Sequence, residues 1–122
     1  MIEKILKMLK SIKKGKLPSA NAIIEKHNSE HCGDWVRLYL KIDEKNNRIE
    51  NASFEGDGCY LCMVSSDKFI KMIKGKDIKE ILSLDEDEYL KKIGFKDISF
   101  QRRGCALLSL RAFKEYFGER DA

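Results

Sequence analysis

Apolar residues recur at Ile2, Ile5, Leu6, Leu9 and Ile12, with Lys4, Lys7, Lys10, Lys13 and Lys14 spread around them. That spacing returns to one side every third or fourth residue. It predicts an amphipathic helix within residues 1–17, stopped by Gly15 and Pro18. A basic amphipathic helix can sit on a membrane or an acidic partner, but the plainer reading is a solvated face opposite a stripe that joins the core. From Trp35 the period changes. In Trp35-Val-Arg-Leu-Tyr-Leu-Lys-Ile42, Val36, Leu38, Leu40 and Ile42 fall on one side and Arg37 and Lys41 on the other, as in a half-buried strand. Asp43 to Arg48 is a polar turn without the acidic ladder and central glycine of a calcium loop. Ile49 to Phe54 reads as a second strand, so the two are expected to pair as an antiparallel hairpin.

The pattern turns helical again after Gly56-Asp-Gly-Cys59 and runs to about Lys74, where Gly75 supplies a stop. Asp77 with Glu80, and Asp85 with Glu88, have capping-box-like spacing and predict two short helices ending near Gly94. Ile98-Ser-Phe100 is a candidate third strand, and from Cys105 the residues Leu107, Leu108, Ala112 and Phe113 predict a last helix. There is no internal repeat, low-complexity tract or linker. The expected fold is therefore one α+β domain over residues 1–122: a small antiparallel sheet, hairpin plus third strand, packed against several helices.

Composition narrows the function classes. With 122 residues and 43% hydrophobic content, the chain can bury one core but not two ordinary ones. Its 24 basic and 20 acidic side chains are interspersed, so the net charge of +4 forms no block. The lysines are spread too evenly, and Trp35, Tyr39 and Tyr60 too sparsely, for a nucleic-acid surface. The opening segment carries a charge every two or three residues, unlike a secretory signal, and no window approaches transmembrane length. The expected setting is the cytoplasm, away from nucleic acid and membrane. Thiols stay reduced there, so four cysteines read first as metal ligands or reactive thiols.

Cys59 and Cys105 each fall at a predicted helix start, where the dipole and free N–H groups favour the thiolate. Cys32 precedes a strand, and Asp34, two residues on, can reach the same ion if the loop bends. Three thiolates and one carboxylate would complete a tetrahedral site, and the carboxylate, a hard ligand among soft ones, would be the one most easily displaced. The cysteines are separated by 26 and then 45 residues, which matches no compact zinc-finger pattern. Spacing alone thus leaves open both a metal site and three buried core thiols.

The motifs Cys32-Gly33-Asp34, "NASFEGDGC" ending at Cys59, "SSDKFIKMIKGK" and "CALLSLRAF" from Cys105 resemble, in order and spacing over roughly residues 30 to 117, the IscU/NifU/SufU family of iron–sulfur cluster assembly scaffolds. The resemblance implies that Cys32, Asp34, Cys59 and Cys105 bind a [2Fe–2S] cluster, iron or a zinc ion. It further implies a pyridoxal-phosphate cysteine desulfurase as sulfur donor and apo iron–sulfur proteins as recipients. On this reading Cys105 is the persulfide acceptor, Asp34 the residue that permits cluster release, and a homodimer can share the loaded cluster. The chain also departs from the pattern. Gly104 stands where many IscU members have histidine before the third cysteine, and "FKDISFQRRGC" replaces their LPPVK-type segment. Arg102, three before Cys105, is similar to SufU, whose typical insertion between the second and third cysteines is absent. The N-terminal "NPRN" motif is missing, although "GKLPSANA" is similar to the stretch that the family carries directly after that motif.

The remaining candidates read more plainly. Cys62 makes a C-x-x-C spacing with Cys59, but one turn inside a helix it reads as a small buried side chain, with substitution for Asp34 as the alternative. His31 adjoins Cys32 and would need an unusual bend to share its ion, while His27 reads as a surface residue. Arg102 and Arg103 either influence the Cys105 thiol, meet a partner's acid, or are simply solvated. The rival function is a zinc-dependent sulfurtransferase in which one thiolate accepts persulfide sulfur and zinc holds the others.

Overall fold

The computed structural model describes residues 2–28 and 33–121, excepting the side chains of Ile2, Lys4, Ile5, Met8, Leu9 and residues 119–121. The elements run α1 (Ile2–Ser11), β1 (Ala22–His27), β2 (Trp35–Asp43), β3 (Arg48–Asp57), α2 (Tyr60–Ile73), α3 (Ile78–Leu82), α4 (Glu86–Lys92), a 3-10 turn (Phe100–Arg102) and α5 (Arg103–Asp121). The three strands form one antiparallel sheet in the order β1-β2-β3.

The alternation in β2 sets the inner face of the sheet. Val36, Leu38 and Leu40 are fully buried, and the register places Leu38 between Ile24 of β1 and Phe54 of β3, and Leu40 between Ala22 and Ala52. A register shift between Lys41 and Ile42 ends this regular pairing. Asp43 then closes the hairpin, its Oδ1 accepting the N–H groups of Lys45 (3.1 Å) and Asn46 (3.3 Å). Helices α2 and α5 pack on this face and against each other. From Gly104 to Leu110 every residue of α5 is buried, which makes it the central helix, enclosed on all sides over this stretch.

Three expectations are corrected. The third strand is β1, not Ile98-Ser-Phe100, which lies between turns and leads into the 3-10 turn with Phe100 87% exposed. The short Ala22–His27 run hides its alternation because Ala22 is small and Ile23 is an exposed apolar residue. The N-terminal helix stops at Ser11, well short of residue 17. Beyond it the backbone is recruited by the sheet: Gly15 N–H donates to the Phe54 carbonyl (2.8 Å) and the Ser53 hydroxyl to the Gly15 carbonyl (2.8 Å), so this segment covers part of the free edge of β3. Finally, Asp77 precedes α3 but does not cap it, since its carboxylate takes Arg48 Nε at 2.9 Å instead. Asp85 does cap α4, accepting from Asp87 and Glu88 N–H.

Candidate metal and sulfur centre

Three chain segments converge at one end of the sheet. Asp34 lies just before β2 and is 5% exposed. Cys59 is the N-cap of α2, reached from the end of β3 through Gly58. Cys105 is the third residue of α5 and has no exposed surface. Asp34 Oδ1 accepts the Cys59 N–H at 3.0 Å, and the Cys59 thiol lies 3.7 Å from Oδ2. A carboxylate thus supplies the cap that the cysteine side chain does not. One ligand atom each from Asp34, Cys59 and Cys105 lies within 4.8 Å of the others, the one such acidic or thiol grouping found among the described residues.

Cys32 and His31 lie outside the described residues. His27 is an exposed side chain that pairs with Glu25 at 3.3 Å and stacks on Trp35, and it is not part of the grouped donors. The two arginines separate. Arg103 pairs with Asp87 at 2.6 Å, whereas Arg102 lies beside Cys59 and Cys105, whose proximity favours its charged form, and its buried Nε has no acceptor. Asn28, at the end of β1, reaches Cys105 Sγ through Nδ2 at 3.8 Å, and its backbone N–H holds the Asp34 carbonyl at 2.9 Å. Sequence reasoning missed Asn28, because no local pattern links residues 77 positions apart.

The expectation that helix starts would favour thiolates fails at Cys105. Burial, then the hydrogen bond to Asp34 and the charge of Cys59, push its thiol up to about 12. Desolvation and like charge outweigh the helix dipole here. A cation reverses that balance, because it replaces mutual repulsion with shared attraction and displaces the protons. The donor set fits such a cation: two soft sulfurs and a hard oxygen close together, with the Arg102 guanidinium at hand to offset the negative charge of the thiolates. Cys62 lies one turn into α2, fully buried, within electrostatic range of all three donors.

The chain has known relatives. The zinc-dependent sulfurtransferase SufU of Bacillus subtilis is 33% identical over 111 residues, covering 78% of this chain and 74% of that protein. The iron–sulfur cluster assembly scaffold protein IscU 1 of Archaeoglobus fulgidus is 33% identical over 90 residues, 70% of this chain. The matched region there spans 56% of the relative, little more than half its length. A crystal structure from Fervidobacterium islandicum, described as an iron–sulfur cluster assembly scaffold for the SUF system, superposes with a TM-score of 0.76 at 29% identity, covering 93% of each chain. No helix among the described residues is long and apolar enough to cross a membrane. The sequence model of the NifU-like N terminal domain matches residues 3–117, and this chain therefore belongs to that family, with the IscU and SufU iron–sulfur cluster assembly proteins among its relatives.

Proposed function

We propose that this protein is a cytoplasmic iron–sulfur cluster assembly scaffold, which accepts sulfur from a cysteine desulfurase, builds a [2Fe–2S] unit and passes it to apo-proteins. The observation that carries this reading is the meeting of Asp34, Cys59 and Cys105 within 4.8 Å, from three segments far apart in sequence. Cys32, two residues before Asp34, supplies the fourth ligand. The protein is not an enzyme in this reading, and iron and sulfide are its cargo.

The desulfurase docks at the cysteine loops, where Tyr60 (47% exposed) and Phe100 (87% exposed) offer apolar contacts beside Cys59 and Arg102 in the sequence. Docking opens the buried Cys105 to the donor, and its sulfur attacks the outer sulfur of the donor's persulfide. The donor leaves as a thiol and Cys105 carries the new persulfide. Cys59, half-buried, fronts this transfer. Arg102 stabilises the charge that develops on both sulfurs, and Asn28 orients Cys105. Asp34 holds iron more weakly than a thiolate would and so permits release to a recipient, or sharing between two chains.

A second reading is favoured by the likeness to the Bacillus subtilis zinc-dependent sulfurtransferase and by the arginine on the thiols. The same four residues would hold zinc, and sulfur would pass through without assembly. Anaerobic reconstitution with iron, cysteine and a desulfurase separates the two. A charge-transfer band with about two irons and two sulfides per cluster, lost in the Cys32/Cys59/Cys105 triple-serine variant, supports the scaffold. Tightly held zinc with no cluster and faster desulfurase turnover supports the sulfurtransferase. Asp34→Ala is expected to prolong the life of a reconstituted cluster, and faster loss would remove the release role.

A further inference from the structure

Cys62 is left unused by the chemistry above, yet its placement is specific. Cys59 caps α2 with φ −68° and ψ 160°, and its carbonyl accepts the Met63 N–H at 3.2 Å, so Cys62 sits in the first turn directly above it. Helical residues three apart bring their Cβ atoms to about 5–6 Å, a separation from which small rotations reach the disulfide range. Cys62 has no exposed surface, so an external reagent is excluded while Cys59, half-buried, is not. After burial, the strongest influence on Cys62 is the charge of Asp34, followed by Cys59 and Cys105, and together these push the thiol up to about 12. It is thus a thiol shielded from solvent and within electrostatic range of the sulfur site.

The assembly chemistry has a matching requirement. The outer sulfur of a persulfide must gain two electrons before it can serve as sulfide in a cluster. We propose that Cys62 is the resolving thiol of this site: its sulfur attacks Sγ of a Cys59 persulfide, forming a Cys59–Cys62 disulfide and expelling the outer sulfur as hydrosulfide. One S–S bond forms and one breaks. The persulfide reacts as its anion, the Cys62 proton leaves on the expelled hydrosulfide, the two cysteines together give up two electrons, and the outer sulfur accepts them. An external dithiol reductant then returns Cys59 and Cys62 to thiols. The sulfur reaches Cys59 either directly from the donor or from Cys105, whose persulfide Cys59 attacks and which is thereby left as a thiol. This inference rests on the sulfur-accepting reading of the site but not on which protein delivers the sulfur.

The test therefore loads the full-length protein with inorganic polysulfide under anaerobic conditions, removes the excess, and follows hydrosulfide release without any thiol reductant. Trypsin, cleaving after Arg48 and Lys68, yields a peptide of residues 49–68 that holds Cys59 and Cys62 and no other cysteine. Released hydrosulfide should match the fraction of that peptide lighter by two hydrogen atoms, and dithiothreitol should restore its mass. Cys62→Ser and Cys62→Ala should keep the Cys59 persulfide and release hydrosulfide at least about tenfold more slowly. Equal release from the variants overturns the proposal. So does release by the wild-type protein with peptide 49–68 still reduced, or a peptide 49–68 that carries neither persulfide nor disulfide. The last two readouts need no variant to fold. Failure of a desulfurase to deliver sulfur to the wild-type protein would instead count against the assembly reading alone.

Discussion

At Gly58 the backbone adopts φ +143°, and a Cβ added there would overlap the Asp34 carboxylate, lying 2.8 Å from its Cγ. The glycine is what lets β3 hand Cys59 to α2 with the carboxylate pressed against the turn. Gly58→Ala should push Asp34 off the Cys59 N–H and weaken zinc binding by about 10–100-fold, as loss of ligand orientation does at other metal sites. Competition against a chromophoric chelator measures this, and unchanged affinity would mean that Asp34 does not set the geometry. Gly56 answers a second close approach, since its Cβ would lie 2.5 Å from the Trp35 carbonyl in the neighbouring strand. The end of β3 thus closes on Trp35 and Asp34 through two residues without side chains.

Among the elements, the two short helices after α2 are set up differently although their sequences read alike. Asp85 accepts two N–H groups at the start of α4, so Asp85→Ala should cost about 1 kcal/mol in chemical denaturation. Asp77→Ala should cost well under that, because Asp77 makes an exposed pair with Arg48 rather than a cap, and equal losses would contradict the assignment. Helix α4 is tied to α5 by Glu86, which accepts from Arg111 at 2.8 and 3.2 Å. The hydrogen bond from Arg111 holds the Glu86 carboxyl below its ordinary value of 4.5. A depressed carboxyl contributes stability that is fully present above its unfolded value and lost as pH falls through the folded one. The acid-unfolding profile of Glu86→Gln should therefore be flatter than wild type below pH 4.5. A profile of unchanged slope there would show that the Arg111 contact contributes nothing.

For the molecule as a whole, α5 is the organising element. It packs against α2, α3 and α4 as well as β1 and β2, and it carries both Cys105 and the aromatic cluster. Phe113 lies edge-on to Phe69 at 5.9 Å and against Phe117 at 4.5 Å, while Phe69 in turn meets Tyr89 of α4. Phe113 is fully buried, so Phe113→Ala should destabilise by about 3–5 kcal/mol in a two-state denaturant titration. Zinc should offset part of that loss, because it binds the folded arrangement of the thiols and not the open chain. A loss below about 1 kcal/mol would show that the core is not organised around this helix.

The hairpin, the helix starting at Cys59, the cap at Asp85 and the buried face of β2 could all be read from the chain, because each follows from local periodicity or a turn residue acting within a few positions. The resemblance of the motifs named Asp34, Cys59 and Cys105 as donors, and the structure groups these three, while Cys32 lies outside the described residues. Other features depended on tertiary contacts. The third strand was hidden because Ala22 and Ile24 reveal a buried face only once Leu38 and Leu40 lie beside them. The first helix ends early because Phe54 and Ser53 claim the backbone at Gly15. Arg48 draws Asp77 away from its helix. At the site, Arg102 and Asn28 join the thiols only when α5 is laid against β1, and the same burial pushes Cys105 in the direction opposite to the helix dipole. Local pattern determined the elements and the donor types. Solvent exclusion and contacts between distant residues decided the partners and the charges.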